Sequence, residues 1–128
     1  MMLIFFLTSL YMLTGSAILL FNKHRAFLSF IMDLRFSILN YRAVNTVVVL
    51  LGVILALLNI FYPLSPGPSI LGDLVPAIIS LVLAIYYYIL SKDNADIEQI
   101  YKTGEKLGYI ILFFSIIHII YPSCILLW

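Results

Sequence analysis

Four long stretches of the sequence contain no Asp, Glu, Lys or Arg, and they constrain the fold more than any other feature. They cover residues 1–22, 43–72, 74–91 and 107–128. A helix crosses the hydrocarbon core of a bilayer with about 20 apolar residues. The second stretch is interrupted at residues 62–69, where three prolines and a glycine break a regular helix. We therefore predict one all-α membrane domain over residues 1–128, with spans near 2–21, 44–62, 73–91 and 107–127.

The overall composition excludes several classes of soluble protein. Hydrophobic residues make up 64% of the chain and charged residues only 10%, whereas a soluble domain is about 25% charged. This balance excludes a disordered tail, a nucleic-acid binder with a basic patch and a monomeric soluble enzyme with a solvated surface. The single cysteine, Cys124, excludes an internal disulfide.

The basic residues predict the orientation of the chain in the membrane. All seven Lys and Arg lie in two links, residues 22–43 and 92–106. The positive-inside rule assigns both links to the cytoplasm. Both termini and the short proline-rich link then face the outside of a cell membrane. The first span lacks the positive amino-terminal region of a signal peptide, so we expect it to be retained.

Small and polar residues recur at seven-residue spacing along the predicted spans, which is typical of a left-handed four-helix bundle crossing at about 20°. Small side chains let helices approach closely in a membrane. The expected packing residues are Gly15, Gly52, Ala56, Ser80, Ala84 and Gly108. The same line of small and polar residues is also compatible with a hydrated transport route through the bundle. A short repeat, residues 58–63 and 117–122, raises the further hypothesis of two duplicated helical hairpins.

The first cytoplasmic link predicts an amphipathic helix over residues 24–42. Its polar residues follow steps of four, four, four and three from Arg25 to Asn40, and large apolar residues cover the remaining surface. We expect this helix to lie in the membrane interface, where Arg25, Arg35 and Arg42 reach lipid phosphates. It is either a lipid-embedded connector or a docking surface for another membrane protein.

His118 is the titratable residue placed deepest in a predicted span, and such residues are costly in a bilayer. Asn59, Ser115 or Tyr11 are its expected hydrogen-bond partners. Three roles are open: a structural histidine, a proton or ion site, or a haem ligand. Haem is disfavoured because His24 lies at the cytoplasmic boundary, leaving Met12 as the only other ligand within a span. We therefore expect no cofactor and no metal.

No catalytic motif is recognisable, so we do not expect an enzyme. The leading hypothesis is an accessory, assembly or stabilising subunit of a larger membrane complex. Its expected partners are the lipid bilayer and other membrane-protein subunits or further copies of itself, and not nucleic acid. The alternative is a small homo-oligomeric transporter or channel whose route is lined by Asn59, Ser115 and His118. A membrane enzyme or cytochrome-like anchor is a third hypothesis.

Overall fold

The chain is all-helical in the part that a computed structural model describes, residues 2–20, 29–62, 74–92 and 97–120. These residues form five helices and no strand. The helices are α1 (Met2–Leu20), α2 (Ser29–Asn40), α3 (Arg42–Phe61), α4 (Val75–Leu90) and α5 (Ile97–Ile120). The predicted spans 2–21 and 73–91 and the predicted amphipathic link 24–42 each contain one helix. Helix α3 begins two residues before its predicted span 44–62, and α5 begins ten residues before its predicted span 107–127.

Three of the helices are long and apolar enough to cross a membrane: Leu3–Leu20 in α1, Arg42–Phe61 in α3 and Gln99–Ile120 in α5. Their outward surfaces carry large apolar side chains, such as Leu50 and Ile54 of α3, that are about half exposed. These features are those of a membrane protein. The fourth apolar helix, α4, has only 16 residues.

Helix α2 runs into α3 through a break at the single residue Tyr41. Its backbone is extended there, with φ −109° and ψ 105°. The Tyr41 N–H donates to the Ser37 carbonyl at 2.9 Å, and the Asn45 N–H donates to the Tyr41 carbonyl at 3.0 Å. Helical hydrogen bonding therefore continues up to Tyr41 on one side and resumes directly after it on the other, so α2 and α3 are joined without a loop.

The closest helix pairs are α3 with α4 and α1 with α5. Both are antiparallel. Asn45 near the start of α3 bonds to Tyr87 near the end of α4, and Gly52 further along α3 lies beside the earlier Ala84. In the second pair Phe5 meets His118 at one end while Leu20 lies beside Gly108 at the other. The two pairs meet where α1 contacts α3 and α4, and where α4 contacts α5. The duplication hypothesis groups span one with span two and span three with span four, which correspond to α1 with α3 and α4 with α5. These are not the pairs that pack most closely.

Glycines mark the places where helices approach most closely. A Cβ atom added to Gly52 would meet the Tyr11 hydroxyl and lie 3.0 Å from the Ala84 Cβ. One added to Gly108 would lie 2.9 Å from the Leu20 Cγ. The structure buries every predicted packing residue, namely Gly15, Gly52, Ala56, Ser80, Ala84 and Gly108.

Candidate functional site

A side-chain hydrogen bond joins α1 to α3 inside the helical core. The Asn59 Nδ2 donates to the Thr8 Oγ1 at 2.8 Å and to the Leu55 carbonyl at 2.7 Å. Thr8 is fully buried and Asn59 is 1% exposed. Buried polar groups in a membrane need such partners, because lipid offers none. The sequence pattern did not predict this pairing of Thr8 with Asn59.

His118 lies near this pair of residues along the helices but is not bonded to it. The side chain is 1% exposed, and neither ring nitrogen has a hydrogen-bond partner among the described residues. Its ring packs against Phe5 of α1, with 4.7 Å between the ring centroids. The hydroxyls of Ser9 and Ser80 are also buried, with no partner in the described part of the chain.

The predicted partners of His118 bond elsewhere, so that prediction is wrong. Asn59 bonds to Thr8. The Ser115 hydroxyl donates to the carbonyl of Ile111 on its own helix at 2.7 Å. The Tyr11 hydroxyl donates to the Val48 carbonyl at 3.2 Å. All three side chains are buried, but each one bonds at a different place in the protein, and none bonds to the imidazole.

Tyrosines form a second set of contacts near the basic end of the helices, the end at which Arg35, Arg42, Lys92, Lys102 and Lys106 lie. The Tyr87 hydroxyl donates to the Gly15 carbonyl at 3.4 Å, and the Tyr87 carbonyl accepts from the Asn45 Nδ2 at 3.0 Å. The Tyr86 hydroxyl donates to the Ile100 carbonyl at 3.2 Å. These roles of the tyrosines were not predicted from the sequence, although Tyr87 follows Ser80 at the seven-residue spacing of the small and polar residues.

The three arginines predicted to reach lipid phosphates do not share one environment. Arg35 is half-buried, and its guanidinium carbon lies 5.4 Å from the centroid of the Tyr101 ring. Arg42 is exposed and lines a cavity together with Lys92. Arg25 lies outside the described residues.

Helix α2 has one packed face and one exposed apolar face. Ile38 is 2% exposed, and Ile31 and Leu34 are partly buried against the helical core. The large side chains on the rest of its surface point away from the core. The exposed apolar residues of α2 are Phe30, Met32, Phe36 and Leu39.

A family model without a functional description matches residues 1–118. This chain belongs to that family, whose function is unknown. No curated protein and no solved structure matches the chain. Among the described residues, no group of three or more His, Cys, Asp or Glu side chains is placed to hold a metal ion.

Proposed function

We propose that this protein is an accessory, assembly or stabilising subunit of a larger complex in the cell membrane. In this proposal α1, α3, α4 and α5 cross the bilayer as a left-handed bundle, and α2 lies in the cytoplasmic interface. Both termini face outside.

The exposed apolar face of α2 is the observation that carries the proposal. Met32, Phe36 and Leu39 share the side of α2 opposite Ile38 and are 52%, 59% and 39% exposed, although α2 belongs to a link between predicted spans. A contiguous apolar surface on a membrane-protein link is typical of a contact site for another protein or for lipid. Because Ile38, Ile31 and Leu34 pack α2 against the helical core, the opposite face is presented in a defined direction, as an interface requires.

The interior of the protein supports the same proposal. Asn45, Asn59 and Tyr87 each make a hydrogen bond that joins one helix to another. Such bonds stabilise a helix bundle. A transport route would instead need polar groups that face a shared space.

Quantitative co-purification of a tagged chain in mild detergent tests the subunit proposal. Wild type should recover larger membrane proteins in fixed stoichiometry. The double variant Met32→Gln with Phe36→Gln should lose at least about nine-tenths of them, because two large anchors dominate a small interface. Ser29→Gln with Asn40→Gln changes exposed polar residues of the same helix and should leave recovery unchanged. Equal recovery with both double variants would contradict the proposal.

The second candidate is a homo-oligomeric transporter or channel, and the environment of His118 favours it. An imidazole buried with both nitrogens unpartnered is costly, and binding an ion or a proton is one reason to retain it. If the protein is a transporter or channel, it should purify alone as a symmetric oligomer, and liposomes containing it should pass protons or small ions. His118→Ala should abolish that flux at unchanged abundance. Ser16→Ala should retain it, because the buried Ser16 hydroxyl donates to the Leu13 carbonyl of its own helix at 2.8 Å and was not predicted to line the route.

A further inference from the structure

A groove opens at the basic end of the protein, where the end of α2, the start of α3 and the end of α4 meet. Its volume is about 780 Å³, within the range of roughly 300–1,000 Å³ that is common for small-molecule sites. We propose that this basic groove binds the headgroup of one anionic phospholipid of the cytoplasmic leaflet, with its phosphate between Arg42 and Lys92. The proposal is independent of the subunit function but rests on the proposed orientation, which places α2 at the cytoplasmic face.

The charges that line the groove favour an anion. Arg42 begins α3, and Lys92 follows the end of α4. Both side chains are exposed, and none of the described residues that line the groove is acidic. A guanidinium donates two parallel hydrogen bonds to a phosphate, and a lysine ammonium adds a point charge.

Other polar side chains in the groove already donate to backbone carbonyls. The Asn40 Nδ2 donates to the Phe36 carbonyl at 2.9 Å, and the Thr46 hydroxyl donates to the Arg42 carbonyl at 2.9 Å. The Ser91 hydroxyl donates to the Tyr88 carbonyl at 2.7 Å. The N–H groups of Arg42 and Lys92 are therefore the principal donors for a ligand.

The two cations are held on helix ends that are fixed to each other. The Asn45 Nδ2 bonds to the Tyr87 carbonyl at 3.0 Å, which joins the first turn of α3 to the last turn of α4. The Lys92 N–H donates to the Ile89 carbonyl at 3.1 Å. The Lys92 Nζ lies 4.9 Å from the centroid of the Tyr88 ring, which attracts the ammonium to the groove wall. A fixed pair of cations is more selective than two mobile ones.

The apolar part of the groove distinguishes a phospholipid from a soluble phosphate. Leu39, Val49 and Leu50 line it beside the cations. These side chains fit the glycerol backbone and the first methylene groups of the acyl chains, which inorganic phosphate lacks. Exposed apolar side chains of α3 continue along the helix past Leu50 to Ile54, in the direction that the acyl chains would take into the bilayer.

Native mass spectrometry of the purified full chain tests the proposal, with phosphatidylglycerol and phosphatidylcholine as probes. Wild type should bind one phosphatidylglycerol in preference to phosphatidylcholine. Arg42→Gln with Lys92→Gln should bind it about 30-fold more weakly, because each basic residue contributes about a factor of five near anionic lipid. Lys102→Gln with Lys106→Gln removes the same charge at the same end outside the groove and should change binding less than about threefold.

Further variants separate a groove from a diffuse positive surface and from a fold defect. Leu50→Trp keeps both cations but fills the apolar part of the groove, so phosphatidylglycerol binding should also fall. Arg42→Lys with Lys92→Arg keeps the charge and should retain binding, which shows that the chain still folds. Equal losses in the groove and control double variants would overturn the proposal. Glycerol phosphate competing as strongly as the lipid would overturn the assignment to a lipid.

Discussion

At the scale of single residues, Asn59 and His118 show two different consequences of burying a polar side chain. Each is 1% exposed. The Asn59 amide donates two hydrogen bonds, one of them to a neighbouring helix. The two ring nitrogens of His118 have no partner among the described residues. Asn59 is therefore expected to stabilise the fold, whereas His118 is expected to reduce its stability.

Replacing each residue with leucine tests this difference. His118→Leu should raise the free energy of unfolding by about 1 kcal/mol, because an unpartnered buried polar group costs about 1–3 kcal/mol. Asn59→Leu should lower it by about 1 kcal/mol, since the bond to Thr8 is lost. Reversible unfolding in bicelles by added SDS measures both. A clear loss of stability in His118→Leu would show that the imidazole is hydrogen-bonded in the membrane.

Gly52 and Gly15 differ in what an added methyl group would meet. At Gly52 the methyl meets the Tyr11 hydroxyl and lies 2.9 Å from the Tyr11 Cζ, and this ring cannot move without losing its bond to Val48. At Gly15 it lies 2.7 Å from the Leu83 Cδ1, the end of a flexible side chain.

We therefore expect Gly52→Ala to lower the free energy of unfolding by about 1–3 kcal/mol and Gly15→Ala to lower it less. The same SDS titration compares the two variants. In a Tyr11→Phe background, Gly52→Ala should cost less, because the hydroxyl it meets is gone. Equal costs in both backgrounds would contradict the close approach.

At the scale of helices, α2 is attached to the core through one face. Ile38 is its buried residue, and Phe36 on the opposite side is 59% exposed. The two side chains are similar in apolar character but differ in what they contact. A comparison of their truncations therefore separates packing of α2 from the general hydrophobicity of the helix.

Ile38→Ala should lower the stability of the packed helix by about 2–4 kcal/mol, because it leaves a cavity. Phe36→Ala should change it by less than about 0.5 kcal/mol in the isolated protein. Hydrogen exchange of the α2 amides, measured by mass spectrometry in detergent, compares the two. Equal acceleration of exchange in both variants would mean that α2 does not pack on the core through Ile38.

The positions of the helices follow from the sequence pattern, but their neighbours do not. Long uncharged stretches and steps of three and four residues indicate where a helix lies and which face is buried. α5 shows this well, with Gly104, Gly108, Ile111, Ser115 and His118 all buried. The same periodicity is compatible with several ways of pairing the helices. It therefore could not predict the packing of α1 on α5 or the bond from Asn59 to Thr8. Arg35 faces Tyr101 in the orientation of α2 that also buries Ile38, and that orientation depends on tertiary contacts.

At the scale of the whole molecule, the topology depends on α4. Its 16 residues give a length of about 24 Å, some 6 Å less than a typical hydrocarbon core. A mismatch of this size costs a modest free energy per ångström. The bilayer accommodates it by thinning locally, or the neighbouring helices tilt. If α4 crosses, all described Lys and Arg lie on one side. If it does not, Lys92 and the lysines of α5 lie on the other side of the membrane from Arg35 and Arg42, which contradicts the positive-inside rule.

Cysteine labelling decides between these topologies. In a Cys124→Ser background, Tyr62→Cys places a thiol after α3 and Thr103→Cys places one in the exposed first part of α5, and neither change alters a charge. We expect a membrane-impermeant maleimide to label Tyr62→Cys in intact cells and Thr103→Cys only after permeabilisation. Asn40→Cys in α2 serves as the cytoplasmic reference. The contrary outcome is labelling of both Tyr62→Cys and Thr103→Cys in intact cells, with Asn40→Cys protected. It would mean that α4 stays on the outer side. A chain that has crossed the membrane only through α1 and α3 must begin α5 outside.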